Sequence, residues 1–345
     1  MKKHNSVALL FLYFPLFINA ACFATDQKKN CTNQNIRQSY CYTSEKRDIY
    51  GQIQSCEQPG TIALTFDDGP ANNTDLILDI LKRYNMSATF FLIGKKMIGK
   101  EQIIQRIIDE GHQIASHTYS HQLLTNITLD RVYYELVNWE KMLVKLVLSG
   151  SLADHKIPNY MRAPHGVLNN DTLKIITDLG YTPITWGVLT EDTTTRHIVT
   201  GTNIINSYYS WFGGNDTSTV NASALTLITQ QHDTIQATVE SFDYIASYLY
   251  NNLALRGTRF VTIAECLNNI PPAYRENPRF ESDPQCLNGI LDSKTKACCD
   301  SDCTTCGGTG CGTRLAFDSA SRCCSSDIIL ANASCNITTA PCMVY

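Results

Sequence analysis

The sequence predicts an α/β fold of the β/α-barrel type, followed by a small disulfide-rich C-terminal module. Strand-like apolar runs alternate with amphipathic stretches at helical spacing from residue 60 to about 265, which implies parallel strands joined by crossover helices. The polar groups of interest all fall just after predicted strands, where β/α barrels carry their chemistry. Ten of the 15 cysteines crowd between Cys286 and Cys342. At 345 residues the chain is long enough for one large domain plus an appendage, and a barrel is favoured over a doubly wound sheet.

Residues 1–24 read as a signal peptide. Lys2-Lys3-His4 is a basic start, and Val7 to Ile18 is an apolar run, short for a membrane span. Small residues follow, with cleavage expected after Ala20 or Ala24. No second apolar run near the C-terminus suggests a stop-transfer helix or a lipid-anchor signal, so no membrane span is expected. Residues 25–59 are polar and carry Cys31, Cys41 and Cys56, an irregular lead-in tied down by disulfides. Loss of Cys22 with the signal peptide leaves an even number, 14, as an oxidising compartment would favour. Nine Asn-x-Ser/Thr acceptors, from Asn30 to Asn336, suit a glycosylated export product, secreted or wall-associated. A formal net charge of -4 gives no basis for a nucleic-acid partner.

The large domain is expected over residues 60–270. Thr61 to Phe66 is an apolar strand ending in Asp67-Asp68-Gly69-Pro70. Thr74 is expected to cap a helix over 75–84. Ser87 to Ile93 is a strand, Glu101 to Glu110 an amphipathic helix stopped by Gly111, and His112 to Ser116 a strand. A long helix, Leu129 to Leu148, precedes a strand at Tyr160-Met161-Arg162. Asp171 to Leu179 is a helix stopped by Gly180. Tyr181 to Trp186, Ala224 to Gln230 and Arg259 to Ile263 are strands, and Val239 to Leu255 is helical. Residues 271–285, opening with Pro271-Pro272, form a linker. Residues 286–345 form the Cys-rich module. Cys303-x-x-Cys306 resembles half a zinc site, but with no His in this module disulfides are favoured. Nothing in the module assigns it a task beyond a stapled spacer or a guessed sugar or wall contact.

Two adjacent carboxylates at a strand exit are costly to ionise together unless a cation or hydrogen bonds compensate, although Asp-Gly-Pro is also an ordinary turn sequence. His117 and His121 stand at i and i+4 and, on a helical turn, would share one face. Two His and one Asp form an open zinc set with room for water and substrate. Tyr208 to Phe212 and Trp139 read as core, and His112, His155 and His197 as surface or structural.

Thr65-Phe66-Asp67-Asp68-Gly69-Pro70, His117-Thr118-x-x-His121, Arg162-Ala163-Pro164-His165-Gly166 and His232 match in order the motifs of the polysaccharide deacetylases. This is carbohydrate esterase family four, which carries the chitooligosaccharide deacetylase homology domain. The resemblance covers residues 60 to about 265 and implies a distorted, incomplete (β/α) barrel. It also implies a hydrolase that removes acetyl groups from N-acetylglucosamine polymers such as chitin, or in some members from acetylated xylan. Asp68, His117 and His121 resemble the metal triad, usually zinc, with cobalt or manganese as other metals. Asp67 resembles the general base, Arg162 its partner, His232 the general acid and Asp192 the residue that tunes it. The backbone N–H of His165 resembles an oxyanion donor, which tolerates any side chain but Pro.

Two stretches depart from the family pattern. Where Asp-x-x-Asp-Trp is usual, Leu189-Thr190-Glu191-Asp192-Thr193 stands, and where Leu-x-His is usual, Gln230-Gln231-His232 stands. The slot for the acetyl methyl therefore lacks its usual Trp and Leu, while the metal and proton-transfer groups are present. A non-catalytic glycan-binding or wall-structural relative, or a deacetylase of another glycan such as xylan, are the alternatives to a chitin deacetylase.

Overall fold

Thr61–Asp67 is buried along its whole length, and it sits in the middle of the sheet with parallel partners on both sides. A strand covered on both faces needs no polar alternation, which is why it reads as a continuous apolar run. The computed structural model describes residues 46–150, 152, 156–193, 198–214 and 216–275, and the backbone of two short antiparallel strands, Gly289–Leu291 and Cys298–Asp300. The expected signal peptide, Cys31, Cys41, His155, His197, residues 276–285 and the rest of the Cys-rich module lie outside the described residues, as do the acceptors Asn30, Asn215, Asn332 and Asn336.

The strands, in chain order, are β1 (Thr61–Asp67), β2 (Ala88–Leu92), β3 (Gln113–Ser116), β4 (Ile157–Pro158), β5 (Tyr160–Met161), β6 (Thr182–Pro183), β7 (Val188–Leu189), β8 (Thr226–His232), β9 (Arg259–Phe260) and β10 (Tyr274–Arg275). The helices are α1 (Thr74–Arg83), α2 (Glu101–Asp109), α3 (Leu129–Leu148), α4 (Asn170–Asp178), α5 (Gly201–Phe212), α6 (Gln236–Asn252) and α7 (Ile263–Cys266). One sheet runs in the order β6-β5-β3-β2-β1-β8-β7, with β9 added beside the start of β1, and its pairings are parallel. β10 pairs antiparallel with β4.

The sheet curls into a distorted, incomplete (β/α) barrel. Among the described residues no ladder joins the edge strands β6 and β7. The lead-in covers that seam: Ile53 N–H donates to Pro183 O at 3.0 Å, and Cys56 N–H to Thr226 O at 3.2 Å. Side-chain alternation sorts the two faces. Ile62, Leu64 and Phe66 join Phe90, Trp139 and Phe242 under the helices. Ala63, Phe91, Ala115 and Ile228 face the barrel interior with Ile53 and Cys56. Trp139, Tyr208 and Phe212 are core, as expected, and the Trp139 indole donates to Leu92 O at 2.6 Å. His112 is structural: it is buried, its Nδ1 accepts the Ala88 N–H at 3.2 Å, and burial lowers its pKa to about 4.

Some expected elements change. Thr74 does not cap α1 with its side chain. Its hydroxyl accepts the Ala71 N–H at 2.9 Å and donates to the buried Asp233 carboxylate, so a tertiary contact takes the group that a cap would use. The strand expected to run through Ile263 stops at Phe260, and Thr262 instead caps the short α7. Tyr181 to Trp186 yields only two residues of ladder. α5 was not expected. No helix among the described residues is long and apolar enough to cross a membrane.

Cys56 and Cys266, both fully buried, form a disulfide that closes a sequence separation of 210 residues and ties the seam-covering lead-in to α7. Cys56→Ala with Cys266→Ala is expected to lower stability by about 2–5 kcal/mol, the range for removing a native disulfide. Urea unfolding of the two proteins measures it, and an unchanged midpoint and slope would contradict this anchoring role.

Candidate active site

The parallel register brings the strand ends to one edge of the barrel. Asp67 pairs with His232 across β1 and β8, and Ser116 pairs with Met161 across β3 and β5. Asp68, His117, Arg162 and His232 therefore emerge at one level.

Asp67 is 1% exposed and faces the interior. The Arg162 guanidinium, 0% exposed, donates from Nη1 to Asp67 Oδ1 at 2.7 Å and to Thr65 Oγ1 at 2.6 Å. Its Nη2 donates to Thr185 O at 3.0 Å, and its Cζ lies 4.1 Å from the Phe91 ring centre. Burial pulls the Arg162 pKa below its usual value, against the charge and hydrogen bond of Asp67. An arginine this enclosed keeps its charge only because every face has a partner.

Asp68 takes a left-handed backbone, φ 71°, which turns its side chain away from that of Asp67. Lys96 Nζ donates to its carbonyl at 2.9 Å. Gly69 follows, and a Cβ there would lie 2.6 Å from Asp233 Oδ2, so the turn needs glycine for close approach. Asp68 Oδ1 lies 3.3 Å from His117 Nε2 and 3.1 Å from His121 Nε2. Burial alone would raise the Asp68 pKa, but the two imidazoles against it hold it well below the usual carboxylate range.

The two imidazoles do not share a helical turn. Residues 117–123 form a loop in which Thr118 and His121 have positive φ, 64° and 61°, and these reversals bring the rings to 4.9 Å centre to centre. The loop is held from α3. Glu135, fully buried, accepts the Ser120 N–H at 2.6 Å and the Ser120 hydroxyl at 2.5 Å, and its own carbonyl accepts the Tyr119 N–H at 3.0 Å. His117 Nδ1 sits 2.9 Å from Arg162 O. A carbonyl only accepts, so Nδ1 carries the hydrogen and Nε2 offers its lone pair.

The ligand atoms of Asp68, His117 and His121 lie within 4.8 Å of one another. Asp68 Oδ1 is buried and accepts no well-directed hydrogen bond among the described residues. One carboxylate oxygen and two lone pairs facing a common point fit a divalent cation, zinc by donor type, with coordination positions to spare. The His117 bond to a backbone carbonyl is the outer support such a ligand usually has.

His232 ends the neighbouring strand β8, beside Asp67. Asp192, 1% exposed, accepts the His232 Nδ1–H at 2.9 Å and the His232 backbone N–H at 2.7 Å, and Thr238 Oγ1 donates to it at 2.8 Å. Burial would lower the His232 pKa, but Asp192, with the charges of Asp67 and Asp68, pushes it up to about 9. His165 is exposed at the mouth with its ring centre 5.0 Å from that of His121. It also has a left-handed backbone, φ 60°, and is followed by Gly166, where a Cβ would lie 2.6 Å from Trp186.

Asp67, Asp68, His117, His121, Arg162, Asp192 and His232 thus meet at one barrel edge, with His165 beside His121. Sequence reasoning missed Glu135, Thr65 and the contacts of Gln230. The alternation of β8, which puts Gln230 on the His232 face, was the signal that would have found the last.

A polysaccharide deacetylase family profile matches residues 54–184. The chain is 30% identical over 224 residues to a chitin deacetylase of Colletotrichum lindemuthianum, covering 64% of this chain and 84% of that one. It is 29% identical over 242 residues to chitin deacetylase 1 of Cryptococcus neoformans, covering 68% of this chain but only 49% of that relative's length. The crystallised chitin deacetylase of Colletotrichum lindemuthianum superposes with a TM-score of 0.56 at 29% identity, over 66% of this chain and 96% of that one. With the ordered motifs and the barrel in agreement, the chain belongs to the polysaccharide deacetylase family.

Proposed function

We propose that the chain is a secreted, metal-dependent hydrolase that removes N-acetyl groups from chitin or a related N-acetylglucosamine polymer. The observation that supports this reading best is a candidate divalent-metal triad beside two buried, differently held proton-transfer groups. Asp67 is held by an arginine and His232 by a carboxylate. A carboxylate paired with a cation and an imidazole paired with an anion suit opposite roles in proton transfer.

A divalent metal held by Asp68, His117 and His121, zinc in the first instance, would supply Lewis acidity toward the acetyl carbonyl and the attacking water. The chain's own residues do the rest. Asp67 takes a proton from water as the water oxygen bonds to the acyl carbon. Arg162 keeps the Asp67 carboxylate aimed and compensated. The backbone N–H of His165 serves the tetrahedral oxyanion. His232, protonated at Nε2 and braced by Asp192, gives that proton to the nitrogen as the C–N bond breaks, and acetate and a free amine leave. A purely glycan-binding role would not require a buried carboxylate held by arginine and a buried imidazole held by a carboxylate beside the triad.

Zinc-loaded protein is expected to release acetate from chitin oligomers and to lose the activity on chelation. His121→Ala should lose zinc binding by calorimetry. Asp67→Asn should keep the metal and lower kcat by about 10²–10⁴-fold, the usual worth of a general base. No release from chitin, peptidoglycan or acetyl xylan by the zinc-loaded protein would reject the reading.

The raised pKa of His232 sets a second expectation. A general acid works while protonated, so kcat should hold through neutral pH and fall as pH rises through about 9. Asp192→Asn removes the charge that favours imidazolium, so the alkaline limb should move to lower pH. An unmoved limb in the pH–rate profile would show that His232 does not carry it.

A further inference from the structure

Gln230 and His232 share the interior side of β8, while Gln231 turns outward and accepts the Tyr208 hydroxyl. Gln230 is 7% exposed, although its position is one where the family pattern carries leucine. Its Nε2 lies 3.2 Å from Asp67 Oδ2 and 3.3 Å from His232 Nε2. A carbamoyl nitrogen has two hydrogens, so it can donate one to each. The His232 Nδ1–H is already on Asp192, so in the neutral imidazole, the state left once its proton has been delivered, Nε2 accepts from Gln230. The result is one continuous line of hydrogen bonds: Arg162, Asp67, Gln230, His232, Asp192 and Thr238. Meanwhile Gln230 Oε1 is buried with no hydrogen-bond partner among the described residues, a cost that packing alone does not explain.

We propose that Gln230 is a positioning residue that sets the separation and orientation of Asp67 and His232, donating to Asp67 throughout and to His232 Nε2 whenever that imidazole is neutral. The inference rests on the deacetylase reading for the roles of those two groups. Arg162 fixes one oxygen of Asp67 but leaves the carboxylate able to twist. A second donor on Oδ2 removes that freedom. Asp192 fixes one nitrogen of His232, and Gln230 fixes the other. The two groups act on the same amide, one on the attacking water and one on the departing nitrogen, so their spacing controls how well a single bound geometry serves both. Gln230 is held in turn through its backbone carbonyl, which accepts the Thr190 hydroxyl at 2.9 Å. While Nε2 carries the proton it will deliver, the Gln230 N–H toward it gives way and the other stays on Asp67.

The test is Gln230→Met, of similar length but without the N–H groups, with Gln230→Leu as the apolar second variant. In zinc-loaded protein acting on chitotetraose, kcat should fall about tenfold, the worth of one hydrogen bond to a charged or reacting group. KM should stay within about twofold, because the lost interaction aligns the reacting groups without binding the sugar. The same substitution should cost clearly less in a His232→Ala background. An equal loss in both backgrounds, or a loss confined to KM, would overturn the proposal. A readout free of turnover accompanies it. In ¹⁵N spectra at alkaline pH, with the imidazole neutral, the His232 Nε2 resonance should move when Gln230 becomes Met. An unchanged resonance overturns the contact. Absence of acetate release by the wild-type protein instead rejects the deacetylase reading, and the spectrum still decides the role of Gln230.

Discussion

The buried pair of Arg162 and Asp67 is the contact on which the architecture turns. β5, which delivers Arg162, and β1, which ends in Asp67, are separated by β3 and β2 in the sheet. In a flat sheet three strand spacings put them about 14 Å apart, beyond the reach of an arginine side chain. Their 2.7 Å contact therefore requires the sheet to curl, and the guanidinium crosses the concave interior to make it. Within that interior the charge is carried by Thr65, Asp67, Thr185 and the face of Phe91. Removing one member of such a pair strands a buried charge and costs about 3–5 kcal/mol. The barrel's shape and the ionised state of this pair support each other.

The same residue reaches the metal-binding side through its backbone. Arg162 O accepts from His117 Nδ1, which fixes the ring with Nε2 toward Asp68. One arginine thus orients Asp67 through its side chain and the His117 imidazole through its carbonyl. At the end of β8 Asp192 does for His232 what Arg162 does for Asp67, with the sign of charge reversed. The site is built from buried groups whose partners are also buried. That pattern is costly to assemble and hard to reconcile with a passive surface.

Much of this was legible in the residues. The bounds of α3 and the whole of β1 follow from apolar periodicity, and the strand exits follow from where the polar residues stand. Other features were hidden for definite reasons. α5 is rich in Asn, Ser, Tyr and Trp, weak helix formers, and its start is marked by a Thr200–Asn203 capping box rather than by the usual glutamate. The turn holding His117 and His121 depends on two non-glycine residues in left-handed conformations, stabilised by Glu135 from a distant helix, and local spacing carries no trace of that. Thr74 looks like a cap in sequence because its competitor for the hydroxyl, Asp233, lies far along the chain. At Gln230 the departure from the family pattern was visible, but it registered only as a lost leucine. Its contacts with Asp67 and His232 emerge only once β1 and β8 pair.

The central claim is that Asp68, His117 and His121 hold one cation beside Asp67 and His232. The most direct measurement is an anomalous difference map from zinc-loaded crystals, recorded on either side of the zinc edge. The account predicts one strong peak about 2.0–2.2 Å from Asp68 and from both imidazole Nε2 atoms, with Asp67 and His232 beside it rather than bound to it. A peak at another cluster, or none at this one with the loop intact, would contradict it.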